Sequence, residues 1–129
     1  MTHHFGCRVY YEDTDMAGIV YYANYLRFIE RARTEWARHH GIDQKRLRAE
    51  DGIVFAVRRV EADFIAPAVF DDMLDVATTV QKATGARIVL TQEVTRGSEM
   101  LFSAQVTLVA LAANGAPSRI PAVLRSKLA

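Results

Sequence analysis

The most regular pattern of apolar and polar positions lies between residues 24 and 38. Its apolar residues recur at spacings of three, one, three and four, which places them on one face of a helix: Tyr25, Phe28, Ile29, Ala32 and Trp36. Asn24 is the predicted N-cap, because its side chain can accept a hydrogen bond from the first turn, and Gly41 is the predicted C-terminal glycine. We therefore predict one helix of about four turns with one buried face.

Most of the remaining chain consists of β-branched and aromatic segments separated by turn residues. The pattern predicts strands over residues 7–12, 53–65, 75–82, 87–95 and 100–112. Turn signals occur at Gly85, 96–98 and 114–115, and the polar stretch 43–52 is assigned no element. Short connections favour antiparallel pairing, with the last three strands as a meander. The predicted fold class is α+β, an antiparallel sheet of about five strands around one long helix, in a single domain over residues 1–129.

One predicted strand is apolar on both faces, over residues 101–111. Such a strand suits a central position in the sheet, with the helix on one side and a partner subunit on the other. The pattern is therefore consistent with self-association.

The composition excludes several classes of protein. The chain has 129 residues, half of them hydrophobic, which is enough for a core without disulfides or a metal. A net charge of +1 provides no field that would attract nucleic acid or an anionic membrane. Cys7 is the only cysteine, the N-terminal residues do not resemble a signal peptide, and no apolar run reaches the roughly 18 residues of a membrane span. We expect a cytoplasmic protein with no nucleic-acid partner and no membrane insertion.

The segment before the helix, residues 11–25, concentrates the candidate chemistry. It holds three carboxylates, a glycine and four of the five tyrosines of the chain. A carboxylate can attack a carbonyl or activate water, provided that donors such as the first-turn amides of residues 22–24 receive the oxyanion. Gly18 lacks a Cβ and would allow a substrate carbonyl to approach closely. An ordinary turn built from Asp and Thr has the same spacing, so the pattern alone leaves both interpretations open.

A longer stretch around this segment is specific to one family. Residues 8–36 read RVYYEDTDMAGIVYYANYLRFIERARTEW. This stretch resembles the bacterial Tol-Pal-associated acyl-CoA thioesterases and the related 4-hydroxybenzoyl-CoA thioesterases, and the resemblance continues more loosely to residues 120–121. It implies the hotdog fold, in which a sheet wraps a long central helix, and hydrolysis of an acyl- or aroyl-CoA thioester without a cofactor. It also implies a homodimer with active sites at the subunit interface, often paired into a tetramer.

The resemblance assigns roles to individual residues of the segment. Asp15 would be the catalytic carboxylate, acting as nucleophile or general base, and the backbone N–H of Tyr22 would polarise the thioester oxygen. Gly18 and Val20 would shape the turn, with Val20 also contacting the substrate, and Asp13 would shape the loop. Many Tol-Pal-associated members carry histidine where this chain has Tyr22, whereas the hydroxybenzoyl branch carries tyrosine. This difference removes a group that titrates near neutral pH, but it leaves the role of Asp15 unchanged.

Other residues with suitable chemistry have simpler interpretations. Some hotdog thioesterases place the carboxylate on the central helix, but Glu30 and Glu35 lie among arginines at i±3 spacing and are interpreted as surface ion pairs. The histidine and cysteine spacings do not suit a metal site, so no metal is expected. The phosphates of coenzyme A require basic residues, and the candidates are Arg58, Arg59, Arg87, Arg96 and Arg119.

Two other functions fit a chain of this kind. A non-catalytic acyl-CoA-binding or interaction module on the same fold would use Asp15 only to shape the turn. A hydratase or dehydratase would need a histidine and aspartate pair in the cleft, and beyond the N-terminus the chain has histidines only at positions 39 and 40. The sequence therefore favours the thioesterase.

Overall fold

The structure is a computed structural model that describes residues 1–128. A six-stranded antiparallel sheet and three α-helices make up this part of the chain. In chain order the elements are β1 (Thr2–Arg8), α1 (Asn24–His39), α2 (Gln44–Asp51), β2 (Val54–Phe64), β3 (Met73–Ala83), β4 (Ile88–Arg96), β5 (Glu99–Leu111), β6 (Pro117–Ser118) and α3 (Ala122–Leu128). The strands lie in the order β1-β3-β4-β5-β2, and β6 pairs with the end of β5. The predicted α+β class is confirmed.

The predicted meander corresponds to β3, β4 and β5, which are neighbours in the sheet and consecutive along the chain. The four strands predicted after the long helix match β2 to β5 to within two residues at each end. The sheet has the expected five long strands, and β6 adds a sixth of two residues. Antiparallel pairing holds throughout, as the short connections predict.

The strand predicted over residues 7–12 is wrong in position. β1 ends at Arg8, and Tyr11–Asp13 form a single 3-10 turn instead. The Asp13 carboxylate accepts a hydrogen bond from the Tyr10 N–H at 2.8 Å, and the Asp13 N–H donates to the Tyr10 carbonyl at 3.0 Å. These local bonds turn the chain away from the sheet before the strand-forming tyrosines can pair.

Helix α1 matches the predicted helix but begins differently. Asn24 is its first residue rather than its N-cap, and the Asn24 side chain donates to the Asp13 carbonyl at 2.9 Å. Ala23 occupies the N-cap position and offers no side-chain acceptor to the first turn. The predicted C-terminal end is confirmed, because Gly41 follows the last turn with φ +72° and its N–H donates to the Arg38 carbonyl at 3.0 Å.

Two short helices, α2 and α3, lie outside the predicted elements. The Asp43 carboxylate caps α2 by accepting the Arg46 N–H at 3.0 Å, and Gly52 ends the helix with φ +66°. Leu47 is the only buried residue of α2. A helix with so narrow an apolar face leaves almost no periodic signal, so the pattern of apolar positions does not predict it.

The core lies between α1 and the inner face of the sheet. The buried face of α1 contains every apolar residue that the helical spacing predicts. Alternate residues of β5 from Phe102 to Ala110 supply part of the opposite layer. The other face of β5 carries Ser103, Gln105 and Thr107, so the prediction of a strand that is apolar on both faces is wrong for this half of β5. This face therefore gives no separate argument for a partner subunit.

A chain of polar side chains is buried beneath α1. Gln92 on β4 is fully buried, and its amide donates to the Ile29 carbonyl at 2.9 Å and to the Thr78 hydroxyl at 3.0 Å. The Gln92 side-chain oxygen accepts from the Arg33 guanidinium at 2.9 Å. Burial lowers the pKa of Arg33 from its ordinary value, although the Glu30 carboxylate acts in the opposite direction. These hydrogen bonds satisfy buried polar groups and join α1 to β3 and β4.

Residues 65–72 join β2 to β3, and we call this segment the β2–β3 connection. It is hydrogen-bonded to the loop that precedes α1. Ala68 in this connection is fully buried, and its carbonyl accepts the Val20 N–H at 2.9 Å. Ile19 and Val69 form an antiparallel bridge beside this bond. The loop before α1 is therefore paired along the connection like a short extra strand.

An ion pair fixes the β2–β3 connection from the other side. The Arg96 guanidinium donates to the Asp72 carboxylate at 2.6 Å and to the Pro67 carbonyl at 3.3 Å, and the Val69 N–H donates to Asp72 at 2.9 Å. Partial burial acts to raise the pKa of Asp72, but the hydrogen bonds from Val69 and Arg96 outweigh it, so this pKa lies below its ordinary value. The ionised carboxylate thus joins β4 to the connection.

Replacing Gln92 by alanine should lower the free energy of unfolding by about 3 kcal/mol, because the buried Ile29 carbonyl and Thr78 hydroxyl and the half-buried Arg33 guanidinium would lose their partner. Denaturant titration of the purified protein measures this loss. Gln105→Ala is the matched control, since it removes an exposed glutamine from the adjacent strand and should change stability by less than about 0.5 kcal/mol. Equal losses in the two variants would contradict the structural role of Gln92.

Asp72→Asn should weaken the acid sensitivity of the fold. Folding lowers the pKa of Asp72, so the contribution of its carboxylate to stability is fully present above the unfolded pKa of about 4 and is lost as pH falls through the folded pKa. Between about pH 6 and pH 2, the unfolding free energy of the variant should start about 2 kcal/mol lower and fall less steeply. Asp71→Asn, at an exposed neighbouring carboxylate, should keep the parent slope. Parallel curves for Asp72→Asn and the parent chain would refute this expectation.

Candidate active site

Asp15 lies at the tip of the loop between the 3-10 turn and α1. Its N–H donates to the Ile19 carbonyl at 3.0 Å, and its carbonyl accepts the Gly18 N–H at 2.9 Å, which closes a tight turn. One carboxylate oxygen accepts the Ala17 N–H at 2.9 Å. Within residues 1–128 no donor bonds the second carboxylate oxygen, and Asp15 is exposed. The loop thus presents a free carboxylate oxygen in a defined position.

Gly18 is required by the turn that carries Asp15. Its φ is +81°, a left-handed conformation that other residues rarely adopt. The space beside its Cα is open, with no atom within 4 Å of the position of a Cβ. A cavity at this point is lined by Tyr11, Thr14, Asp15, Met16, Gly18 and Phe70. A ligand can therefore approach the loop at Gly18 without displacing a side chain.

The backbone at the start of α1 leaves two amides without partners. The Tyr21 N–H donates to the Asp13 carbonyl at 2.9 Å, and the Asn24 N–H donates to the Tyr21 carbonyl at 2.8 Å. In the part of the chain that the structure describes, the N–H groups of Tyr22 and Ala23 meet no acceptor. The predicted donors included the Asn24 amide, which is engaged and therefore not available. The two free amides lie at the positive end of a 16-residue helix, where negative charge is stabilised.

Tyr22 takes part in the lining of an aromatic cavity. It has a volume of about 280 Å³ and is lined by Ile19, Val20, Tyr22, Tyr25, Phe64, Ile65, Ala66 and Pro67. The ring centroid of Phe64 lies 5.9 Å from that of Tyr22 and 5.8 Å from that of Tyr25, in edge-to-face arrangements. All eight lining residues are uncharged. The cavity is therefore suited to an apolar or aromatic group.

Asp15 and Tyr22 line two different cavities rather than a single one. Asp15 and Gly18 line the first cavity, whereas Val20 and Tyr22 line the second. Ile19 joins the two along the chain, and Val20 is buried between the loop and the β2–β3 connection. A ligand that contacts both groups must span this short segment.

The other loop carboxylates have different surroundings. Asp13 is buried, its carboxylate accepts the Tyr10 N–H, and its carbonyl accepts from the Tyr21 N–H and the Asn24 side chain. Glu12 is exposed. The contacts of Asp13 give it the loop-shaping role predicted from the sequence.

The two carboxylates of α1 differ from each other. Glu35 forms the predicted surface pair with Arg38, at 2.6 Å. Glu30 instead accepts from the Thr34 hydroxyl at 2.9 Å, so the ion pair predicted for Glu30 is wrong. The reason is that Arg33, three residues after Glu30, turns inward to the buried amide described above.

Two of the arginines considered for the CoA phosphates are already engaged. Arg59 pairs with Glu61 at 3.4 Å on the exposed side of β2. Arg96 is held by Asp72 and Glu99, which gives Arg96 a structural role instead.

Arg58, Arg87 and Arg119 are exposed. Arg58 lies at a bulge in β2, Arg87 directly precedes β4, and the guanidinium of Arg119 covers Gly85 in the turn before β4. The Asp15 loop lies at the other end of β4, near the β2–β3 connection. A strand of nine residues spans roughly 30 Å, so Arg87 and Arg119 of the same chain are remote from Asp15.

Candidate metal ligands and membrane spans are absent from residues 1–128. In this range no group of three or more His, Cys, Asp or Glu side chains could hold a metal ion. Nor does any helix there combine the length and apolar character needed to cross a bilayer.

The sequence pattern does not single out Tyr25 and Phe64 as site residues. It assigns Tyr25 to the helix core and Phe64 to a strand, whereas both line the aromatic cavity. The pairing of β2 with β5 places Phe64 opposite Phe102, and the ring of Tyr25 stacks on Phe102. Local sequence does not determine this long-range register. The pattern of apolar positions therefore predicted only that Tyr25 lies on the buried face of the helix.

Comparison with known proteins identifies the family. Residues 17–103 match the family model of the thioesterase superfamily. The acyl-CoA thioester hydrolase YbgC of Escherichia coli O6:H1 is 44% identical over 102 residues, which are 79% of this chain and 75% of that protein. A probable thioesterase from Bartonella henselae superposes with a TM-score of 0.90 at 37% identity, over 94% of this chain and 100% of that one. A 4-hydroxybenzoyl-CoA thioesterase superposes with a TM-score of 0.92 over 99% of both chains, but at 23% identity it bears on the fold alone.

The match to YbgC also bears on the difference expected at Tyr22. Although the resemblance associates tyrosine at this position with the hydroxybenzoyl branch, the chain is 44% identical to YbgC over 102 residues. The hotdog fold implied by residues 8–36 is confirmed. The chain is a homologue of YbgC and belongs to the thioesterase superfamily.

Proposed function

We propose that this chain hydrolyses acyl-CoA thioesters to a free acid and coenzyme A, with Asp15 as the catalytic carboxylate and the Tyr22 N–H as the oxyanion donor. The observation that carries the proposal is the proximity in sequence of a free Asp15 carboxylate oxygen and an unengaged amide at the start of α1. The activity named for YbgC of Escherichia coli supports the same substrate class.

The reaction begins with attack on the thioester carbonyl carbon, either by the Asp15 carboxylate or by a water molecule that Asp15 deprotonates. The carbonyl electron pair moves onto oxygen, and the Tyr22 N–H donates to the resulting oxyanion. Collapse of the tetrahedral intermediate breaks the C–S bond, and the CoA thiolate that leaves takes up a proton. In the water route the acid forms directly, whereas in the nucleophilic route water hydrolyses the mixed anhydride on Asp15.

The proposal includes a homodimer, with a tetramer as a further assembly, in which a second copy encloses the site. β2 is the last strand of the sheet, and its outer edge pairs with no described residue. Large apolar residues along this edge are exposed: Val54, Val57, Val60 and Phe64. An unpaired edge with exposed apolar side chains favours pairing with a second copy across a two-fold axis. Such a copy would cover both cavities from outside.

A two-fold axis beside β2 would also bring basic residues to the substrate. It reverses the direction of the second sheet, so the end that carries Arg87 and Arg119 in one copy approaches the Asp15 loop of the other. Together with Arg58 on β2, and with Arg59 once a phosphate displaces its weak and exposed partner Glu61, these guanidinium groups would bind the phosphates of coenzyme A. This arrangement accounts for arginines that are remote from Asp15 within one chain.

Asp15→Asn should preserve the fold and lower kcat at least about a hundredfold, because an amide replaces the proposed nucleophile or base. Release of free thiol from short, long and aromatic acyl-CoAs measures the rate. Glu12→Gln is the matched control, since it removes an exposed carboxylate from the same loop and should keep the parent rate. Near-normal turnover by Asp15→Asn would contradict the role of Asp15 as the catalytic carboxylate. Binding of acyl-CoA without turnover by the parent chain would favour a non-catalytic binding module.

A heterodimer of two defective chains should regain activity if the site combines residues of both copies. One chain would carry Asp15→Asn and the other Arg87→Gln with Arg119→Gln, each with its own affinity tag. One of the two sites in such a heterodimer has all three residues, so about half of the parent activity is expected at low acyl-CoA concentration. Activity no higher than that of the arginine variant alone, or failure of the differently tagged chains to associate, would contradict the proposed interface.

A further inference from the structure

We propose that the hydroxyl of Tyr25 is a positioning group that sets the distance between the Asp15 loop and the Tyr22 amide, acting through the buried backbone of Ala68. The inference rests on the roles proposed above for Asp15 and Tyr22. It concerns how the Asp15 carboxylate and the Tyr22 amide keep a constant separation although Asp15 and Tyr22 line different cavities.

The ring of Tyr25 is held tightly in the core. It stacks on Phe102 with centroids 5.0 Å apart and ring planes 3° apart, and it meets Phe28 and Phe64 edge to face. Its exposed fraction is 4%. The Tyr25 N–H also donates to the Tyr22 carbonyl at 3.3 Å. The position of the Tyr25 ring is therefore coupled to the backbone of Tyr22.

The hydroxyl of Tyr25 extends this coupling to the β2–β3 connection. It accepts the Ala68 N–H at 3.2 Å, and the Ala68 carbonyl accepts the Val20 N–H at 2.9 Å. Ala68 is fully buried, so water cannot replace either bond. Ala68 thus links the start of α1 to the loop through its two backbone groups.

This series of hydrogen bonds ends at Asp15. Ile19, adjacent to Val20, accepts the Asp15 N–H at 3.0 Å and bridges to Val69 in the connection. Three hydrogen bonds therefore join the Tyr25 hydroxyl to the backbone of Asp15. A shift of the connection would move Asp15 relative to the helix start.

Core packing alone does not require the hydroxyl, because phenylalanine would fill the same space beside Phe102. Burial raises the pKa of the Tyr25 phenol above its ordinary value, despite the opposing hydrogen bond from Ala68, so the group stays neutral at physiological pH. A neutral phenol oxygen accepts the Ala68 N–H without placing a charge in the core. Removal of that oxygen would leave a buried N–H without an acceptor, and the connection would have to move to satisfy it.

Tyr25→Phe is the test, because it removes this oxygen and keeps the ring. We expect kcat to fall about tenfold or more, since small displacements of reacting groups are costly, while KM for acyl-CoA changes by less than about twofold. Tyr10→Phe is the matched control, because it removes an exposed phenol outside both cavities and should leave kcat and KM unchanged.

Amide hydrogen exchange separates positioning from general stabilisation. In Tyr25→Phe the amides of residues 19–20 and 68–69 should exchange faster, whereas those in the middle of α1 should keep their protection. Faster exchange throughout the chain, with kcat per folded molecule unchanged well below the melting temperature, would overturn the inference. An unchanged kcat with unchanged local exchange would overturn it as well.

Asp15→Asn measured in parallel distinguishes this inference from the proposed function. Turnover that survives in Asp15→Asn removes the proposed role of Asp15 and, with it, the inference about Tyr25. An inactive Asp15→Asn beside a Tyr25→Phe variant that turns over at the parent rate removes the inference alone.

Discussion

The packing of α1 across the inner face of the sheet is the interaction on which the other features depend. It is made of apolar contacts and of one buried amide, Gln92, which satisfies a helix carbonyl and two neighbouring side chains. Because Tyr25 takes part in the same packing through its stack on Phe102, the core also determines where the helix begins. The location of the free amides before α1 is thus a consequence of core packing rather than of the loop alone.

The loop that carries Asp15 obeys a different constraint. Val20 anchors its far end in the core, but Asp15 itself is exposed, and the loop is held against the β2–β3 connection by backbone hydrogen bonds. That connection is held in turn by Asp72 and Arg96 on one side and by the Tyr25 hydroxyl on the other. The candidate site therefore combines a helix start fixed by packing with a carboxylate fixed by polar contacts.

The elements with strong periodic signals were predictable from the sequence, and those set by local hydrogen bonding were not. The buried face of α1 and the strands β2 to β5 follow directly from apolar spacing. The carboxylate of Asp13 ends the pairing near Tyr10, and a capping Asp43 begins α2, although neither residue alters the apolar pattern. Asp15 and Gly18 could be proposed as site residues from the sequence because both lie in a family-specific segment. The aromatic cavity could not be predicted from the sequence, because it depends on the register of β2 against β5.

The missing side-chain cap of α1 has a consequence for the thermal stability of the protein. Helix starts usually satisfy their first amides with a side-chain acceptor, a contact worth about 1 kcal/mol, but Ala23 supplies none and Asn24 is turned towards Asp13. The chain thus keeps a locally unsatisfied helix end at the point where the proposed mechanism places the thioester oxygen. A serine or aspartate introduced there for thermal robustness would compete with that oxygen for the same donors. For the proposed function, thermal stability and oxyanion binding therefore make opposing demands on residues 22–24.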